Sequence, residues 1–168
     1  MTRVVLLLRG VNVGGVTVRS ADLRALLTDA GLGAARSVLA SGNAIVDAAS
    51  ALAAARTAEQ ALQARYGRRI RVLGIDVAEL DGIVASYPFV EDDDHTPYVV
   101  FGLEAGVLER LSETETPEEI ALVGGALCWS NPKGRTIDSP FGRALTRIGK
   151  DATTTRNLRT LRRIVATG

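Results

Sequence analysis

The order in which apolar segments follow one another constrains the fold of this chain more than any other feature of the sequence. Residues 4–8 form an uninterrupted apolar run, which is typical of a buried strand. Apolar periodicity then predicts a helix at 20–30 and two strands, at 37–39 and 44–46, that are joined by a turn. A second helix is predicted at 52–66 and a fourth strand at 70–75. The order βαββαβ is that of a split-βαβ, or ferredoxin-like, unit.

The second half of the chain repeats the beginning of this order. After a helix at about 76–86, the predicted elements are strands at 98–101, 119–123 and 126–129, a short helix at 105–111 and a longer helix from Pro140. Gly124 and Gly125 between two of the strands indicate a hairpin. We therefore predict an α+β fold of two ferredoxin-like lobes, built by duplication of one architecture. The predicted domains are a first lobe at 1–90, a linker at 91–96, and a second lobe at 97–168 that ends in a basic helix from about Thr155.

Composition excludes several classes of protein. No apolar segment approaches the roughly 20 residues of a membrane-spanning helix, and the run at 4–8 is too short for a signal peptide. We expect a cytoplasmic protein with no membrane partner. The single cysteine, Cys128, excludes an internal disulfide and a CxxC site, and the single histidine, His95, has no companions at metal-ligand spacing. We expect no metal and no cofactor.

Positive charge is concentrated at the end of the chain. Residues 133–168 carry nine basic and two acidic residues, whereas the rest carries eleven basic and seventeen acidic ones. The basic region is either a solvated helical face or a surface for phosphates or an acidic partner. Arg156, Arg159 and Arg163, spaced by three and four, predict an exposed helical stripe that would bind polyanions in the second case.

A glycine-rich loop follows the first strand and contains the first candidate ligand residues. Its glycines allow backbone N–H groups to approach an anion, and two side chains add further donors. The loop is neither a Walker A loop nor a GxGxxG motif. In the alternative interpretation, the glycines only permit tight turns, and the arginine donates to backbone carbonyls. The candidates are Arg9, Gly10, Asn12, Gly14 and Gly15.

A second polar turn, residues 41–43, is predicted at the same edge of the sheet. In a split βαβ unit the first two strands are parallel, with the third between them, so the end of strand one and the turn after strand two coincide. We therefore predict that Arg9, Asn12, Ser41 and Asn43 cluster around an accessible concavity. Because a half-buried arginine needs partners, Arg9 should have a carboxylate, backbone carbonyls or an anion within reach.

The threonine-rich segment at 153–157 is predicted to begin the last helix, with a threonine as its N-cap. An arginine at a helix N-terminus opposes the helix dipole. Arg156 is therefore expected to pair with a carboxylate or to help bind an anion. Arg156 and Asn157 complete the list of candidate ligand residues.

Four segments resemble the bacterial domain-of-unknown-function family 1697: RGVNVGG at 9–15, ADLR at 21–24, SGN at 41–43 and TTRN at 154–157. This resemblance implies an α+β fold with repeated ferredoxin-like halves and no settled activity. The chain departs from the family at two places. Val16 and Thr17 stand where members usually have lysine and asparagine, and Leu158 stands where they often have tryptophan.

Three functions are compatible with these observations. The favoured one is a protein, enzyme or not, that binds a phosphate- or carboxylate-bearing metabolite at the edge formed by residues 9–15 and 41–43. The second is a nucleic-acid-binding module that uses the basic C-terminal region. Strands 4–8 and 44–46 carry no aromatic residue, which argues against a base-stacking sheet. The third is a structural or protein-interaction module. The sequence determines neither substrate nor reaction nor oligomeric state.

Overall fold

The structure is a computed structural model that describes residues 1–12, 15–39, 42–136 and 138–168. The chain divides into two compact units, which are Met1–Asp81 with Arg163–Gly168, and Gly82–Arg162. The division falls after Asp81 and not in the predicted linker at 91–96. That acidic segment belongs to the second unit, where its His95 already begins a strand.

The first unit contains one four-stranded antiparallel sheet with the strand order β2-β3-β1-β4. Strands β1 and β2 are parallel to each other and are separated by β3, as the split βαβ pattern predicts. The elements are β1 Thr2–Leu8, α1 Ser20–Asp29, β2 Arg36–Ser37, β3 Asn43–Ala48, α2 Ala51–Tyr66 and β4 Val72–Asp76.

Alternation along β1 explains how this sheet holds its helices. Val4, Leu6 and Leu8 lie on one face and join a core that includes Leu27 of α1 and Leu62 of α2. The residues between them on β1 are also fully buried, so the strand reads as a continuous apolar run. Helix α1 begins at Ser20, and no side chain of the described residues caps its N-terminus.

The second unit contains a sheet of the same topology, with the strand order β6-β7-β5-β8. Two further helices, α3 Val77–Ala85 and α6 Leu158–Thr167, each contain a boundary between the units. The remaining elements are β5 His95–Gly102, α4 Val107–Ser112, β6 Glu119–Val123, β7 Ala126–Pro132, α5 Pro140–Gly149 and β8 Thr153–Asn157.

Trp129 and Glu118 organise the interior of the second unit. The fully buried Trp129 ring lies 4.9 Å from that of Phe141 and 5.3 Å from that of Tyr98, measured between centroids. Its indole N–H donates to Glu118 Oε1 at 2.9 Å. The other carboxylate oxygen accepts from the Phe141 amide at 2.7 Å and from the Thr116 hydroxyl at 2.9 Å. A carboxylate therefore closes the first turn of α5, where the helix dipole favours negative charge.

The architecture confirms the predicted α+β fold of two similar lobes, each with its own antiparallel sheet. The prediction for the last helix is wrong. Thr153–Asn157 is strand β8, which completes a second βαββαβ unit, and α6 begins at Leu158. Asn157 Oδ1 accepts from the Arg159 amide at 2.8 Å, so an asparagine and not a threonine caps this helix.

Candidate functional site

The end of β1 and the turn before β3 meet at one edge of the first sheet, as the topology predicts. The Leu8 amide donates to Gly42 O at 2.9 Å. Gly42 has a φ of +72°, and a Cβ there would lie 2.6 Å from Val11 Cγ2. We call this region, residues 9–12 with 42 and 43, the Arg9 edge. The predicted ligand residues Gly14 and Ser41 lie outside the described residues.

Asn12 holds the loop that follows β1. Its φ of 61° is left-handed, a conformation that asparagine tolerates better than most residues. Its Oδ1 accepts from the Val18 amide at 2.8 Å, and its Nδ2 donates to Val18 O at 3.2 Å. The backbone amide of Asn12 also donates to Val16 O. These bonds close the loop on itself, so the structure gives this candidate ligand residue a structural role.

Asn43 holds the facing turn in a similar way. It is 1% exposed, and its Nδ2 donates to Val38 O at 3.1 Å. The Val38 amide in turn donates to Asn43 O. In the loop after β1, Gly10 has a φ of +69° and Gly15 is exposed. Tight turns thus account for Gly10 and Asn43 without a ligand.

Arg9 is the candidate residue that turn geometry does not explain. Its amide extends the β1–β4 ladder by donating to Arg71 O at 2.9 Å. The residue is half-buried, and its Nε is buried with no hydrogen-bond partner among the described residues. Among the described residues, no backbone carbonyl therefore accepts a hydrogen bond from Arg9 Nε, whereas the alternative interpretation has this arginine donating to backbone carbonyls.

Arg71 was not among the residues predicted from the sequence, yet it lies directly beside Arg9. The register of β1 and β4 pairs Leu8 with Val72, so the next pair is Arg9 and Arg71. The predicted topology already implied that these two strand ends are neighbours, because the fourth strand of a split βαβ unit pairs with the first. Comparing the residues at those two strand ends would have led to the segment around residue 71, and the observed register shows that Arg71 is the residue opposite Arg9.

The candidates Arg156 and Asn157 belong to the second unit. Arg156 lies in β8, where its Nη1 donates to Thr154 Oγ1 at 2.7 Å and to Thr155 O at 3.0 Å. Arg156, Arg159 and Arg163 therefore do not form one helical stripe. Arg162 of α6 is paired with both oxygens of Glu91 at 2.6 and 2.7 Å, and this bonding holds the pKa of Glu91 below its usual value.

Other conspicuous groups of the second unit form local contacts. His95 Nδ1 lies 2.9 Å from Asp92 Oδ1, and both residues line a cleft of about 600 Å³. Cys128 is buried, and burial raises the pKa of its thiol to about 11.

Across the part of the chain that the structure describes, no group of three or more His, Cys, Asp or Glu residues is placed to hold a metal. No helix in that part has the length and apolarity needed to cross a membrane.

Comparison with known proteins shows that the chain is similar to a protein family and to a solved structure. The model of a family described as "Protein of unknown function (DUF1697)" matches residues 1–129. The match includes the loop at 9–15 and the turn at 41–43, and it ends before the TTRN segment. The structure is similar to that of a conserved bacterial protein from Streptococcus pneumoniae, with a TM-score of 0.83 and 22% identity over 98% of this chain and 97% of that chain. No curated protein matches the sequence.

Proposed function

Because the chain belongs to the DUF1697 family, whose description assigns no activity, we propose from the site itself that this protein binds a small ligand carrying a phosphate or carboxylate group. The ligand lies at the Arg9 edge and contacts the Arg9 guanidinium. The observation that carries the proposal is the buried Arg9 Nε, which has no hydrogen-bond partner among the described residues.

The free energy of an unsatisfied donor supports this proposal. A guanidinium keeps its positive charge in proteins and presents five N–H donors. Removing such a donor from water without supplying an acceptor costs about 1–3 kcal/mol, and more for a charged group. Buried polar groups of native proteins are therefore nearly always hydrogen-bonded. A bound anion supplies an acceptor and also neutralises the charge.

The two asparagines of the Arg9 edge support the proposal because they hold the backbone on which the site is built. Asn12 closes the loop after β1, and Asn43 closes the turn before β3. Both asparagine side chains thus bond to nearby backbone groups without any ligand. A preorganised site loses less conformational entropy on binding than a mobile one.

Thermal unfolding in the presence of inorganic phosphate and of citrate tests the proposal. A ligand at 100 times its Kd raises the free energy of unfolding by about 2.7 kcal/mol. We expect at least one of the two anions to raise the Tm of the wild-type protein. Arg9→Ala should abolish that rise while leaving the Tm without ligand nearly unchanged. In a purely structural role, the same substitution should instead lower stability by about 1–3 kcal/mol.

Arg3→Ala is the matched control. Arg3 lies in β1, the strand that Arg9 directly follows, and its guanidinium is half-exposed and 3.9 Å from Asp47 Oδ1. The substitution removes the same charge as Arg9→Ala without touching the Arg9 edge, so the response to the anion should remain. No response in the wild-type protein to either anion, or an equal response in Arg9→Ala, would contradict the proposed function.

A further inference from the structure

We infer that the Arg9 edge selects a phosphate monoester over a carboxylate or a phosphate diester, because Arg71 lies directly opposite Arg9 in the β1–β4 ladder and adds a second positive charge. This inference rests on the proposed function and specifies the chemical class of its ligand. A monoester at the end of a small metabolite fits it, whereas the diester backbone of a nucleic acid does not.

The backbone fixes the two arginines as neighbours. The register of β1 and β4 pairs Leu8 with Val72, and the Arg9 amide continues the ladder to Arg71 O at 2.9 Å. Arg9 and Arg71 are therefore directly opposite each other on adjacent antiparallel strands. Opposite residues of such a pair have their Cβ atoms about 5 Å apart.

Strand alternation places both arginine side chains on the same face of the sheet. Leu8 and Val72 belong to the core that the first sheet shares with α1 and α2. Because successive side chains of a strand point to opposite faces, Arg9 and Arg71 leave from the other face. Both residues are half-buried, so neither stem extends freely into solvent.

The charge of this pair matches a dianion. Like charges at directly opposite strand positions repel each other, and the repulsion grows where water is partly excluded. A phosphate monoester carries a charge of about −1.5 to −2 near neutral pH, and its three terminal oxygens can accept from two guanidinium groups. A carboxylate or a phosphate diester carries a single negative charge. Each arginine can hold phosphate oxygens in a bidentate way, which a lysine cannot do.

Isothermal titration calorimetry with three probes tests the inference: glycerol 2-phosphate, dimethyl phosphate and acetate. We expect the wild-type protein and the Arg3→Ala control to bind the monoester at least tenfold more tightly than either other probe. Arg71→Ala should weaken monoester binding at least tenfold and change acetate binding little. Arg71→Gln keeps most of the stem and a polar head without the charge, so it should also weaken monoester binding.

The outcomes separate this inference from the proposed function. Equal binding of the three probes by the wild-type protein would overturn the inference, and so would full monoester affinity in Arg71→Gln. Far-UV circular dichroism identifies a variant that has not folded, and Arg71→Gln decides the matter if Arg71→Ala is such a variant. If the wild-type protein binds none of the probes, or if Arg9→Ala binds the monoester normally, the proposed function itself fails.

Discussion

Replacing Glu118 by glutamine tests whether one carboxylate holds the first turn of α5 in place. Glu118 accepts from the Trp129 indole at 2.9 Å and from the Phe141 amide at 2.7 Å. Glutamine has nearly the same shape, but one of its two head atoms is a donor. In either orientation, its NH₂ group faces a donor that previously had an acceptor.

The expected loss follows from two contributions. A hydrogen bond to a charged group contributes about 1.5–3 kcal/mol to stability, and Glu118→Gln removes at least one. A negative charge at a helix N-terminus adds about 0.3–1 kcal/mol, and the substitution removes that charge as well. We therefore expect Glu118→Gln to lower the free energy of unfolding by about 2–4 kcal/mol.

Urea unfolding followed by the fluorescence of Trp129, the only tryptophan of the chain, measures this loss in the second unit. Glu119→Gln is the matched control, because Glu119 is the next residue along the chain and its side chain is exposed. This control should change stability by less than about 0.5 kcal/mol. Equal midpoints for Glu118→Gln, Glu119→Gln and the wild-type protein would refute the argument.

The same pair of proteins has a predicted pH dependence. Burial by itself would raise the pKa of Glu118, but hydrogen bonds from Phe141, Ser139, Trp129 and Thr116 outweigh it and hold the pKa below its usual value. The ionised carboxylate therefore contributes stability above its unfolded pKa of about 4.3, and this contribution is lost as the pH falls through the lower folded pKa. The stability difference between the wild-type protein and Glu118→Gln should be full at neutral pH and shrink below about pH 4. A difference that grows on acidification would contradict the role of the ionised form.

Two further predictions concern packing and reactivity. A Cβ at Gly74 would lie 2.2 Å from Ala51 O, whereas one at Gly82 would meet no neighbouring atom of the described residues within 4 Å. Urea unfolding should therefore show that Gly74→Ala lowers the free energy of unfolding by at least about 2 kcal/mol and that Gly82→Ala raises it by about 0.5–1 kcal/mol. A neutral Gly74→Ala would contradict the close packing of α2 on β4. The raised pKa of Cys128, about 11, leaves roughly one thiol in a thousand ionised at pH 8. A disulfide reagent should thus label Cys128 only in unfolding concentrations of urea, and rapid labelling of the native protein would show that the thiol is accessible.

The candidate site could be located from the sequence but not interpreted from it. Topology alone predicted that the loop after β1 and the turn before β3 would meet, and the hydrogen bond from Leu8 to Gly42 joins them. The sequence could not show that Asn12 and Asn43 are engaged by nearby backbone groups while Arg9 Nε is buried without a partner among the described residues. These differences arise from the path of the backbone, which residue types do not specify.

The segment Thr153–Asn157 shows why local pattern misled the prediction for the last helix. It contains no apolar residue, so nothing in it alternates as a strand with one buried face should. The tertiary structure overrides this pattern, because β5 offers a free ladder that pairs Val99 with Arg156 and Phe101 with Thr154. Buried threonines are tolerated there since their hydroxyls find acceptors, as Thr153 does at Gly149 O, 2.8 Å away.

The sequence by itself determined the βαββαβ order of the first half, the β-α-β-β-α order that begins the second half, and the family, because apolar periodicity and short motifs lie within a few consecutive residues. Only the tertiary structure brought Arg71 beside Arg9 and joined Glu118 to the first turn of α5. Those residues are far apart along the chain, and their meeting depends on the strand register and on the approach of a helix. The pattern of neighbouring residues specifies neither the register nor the position of the helix, because both are set by how complete helices and strands pack together.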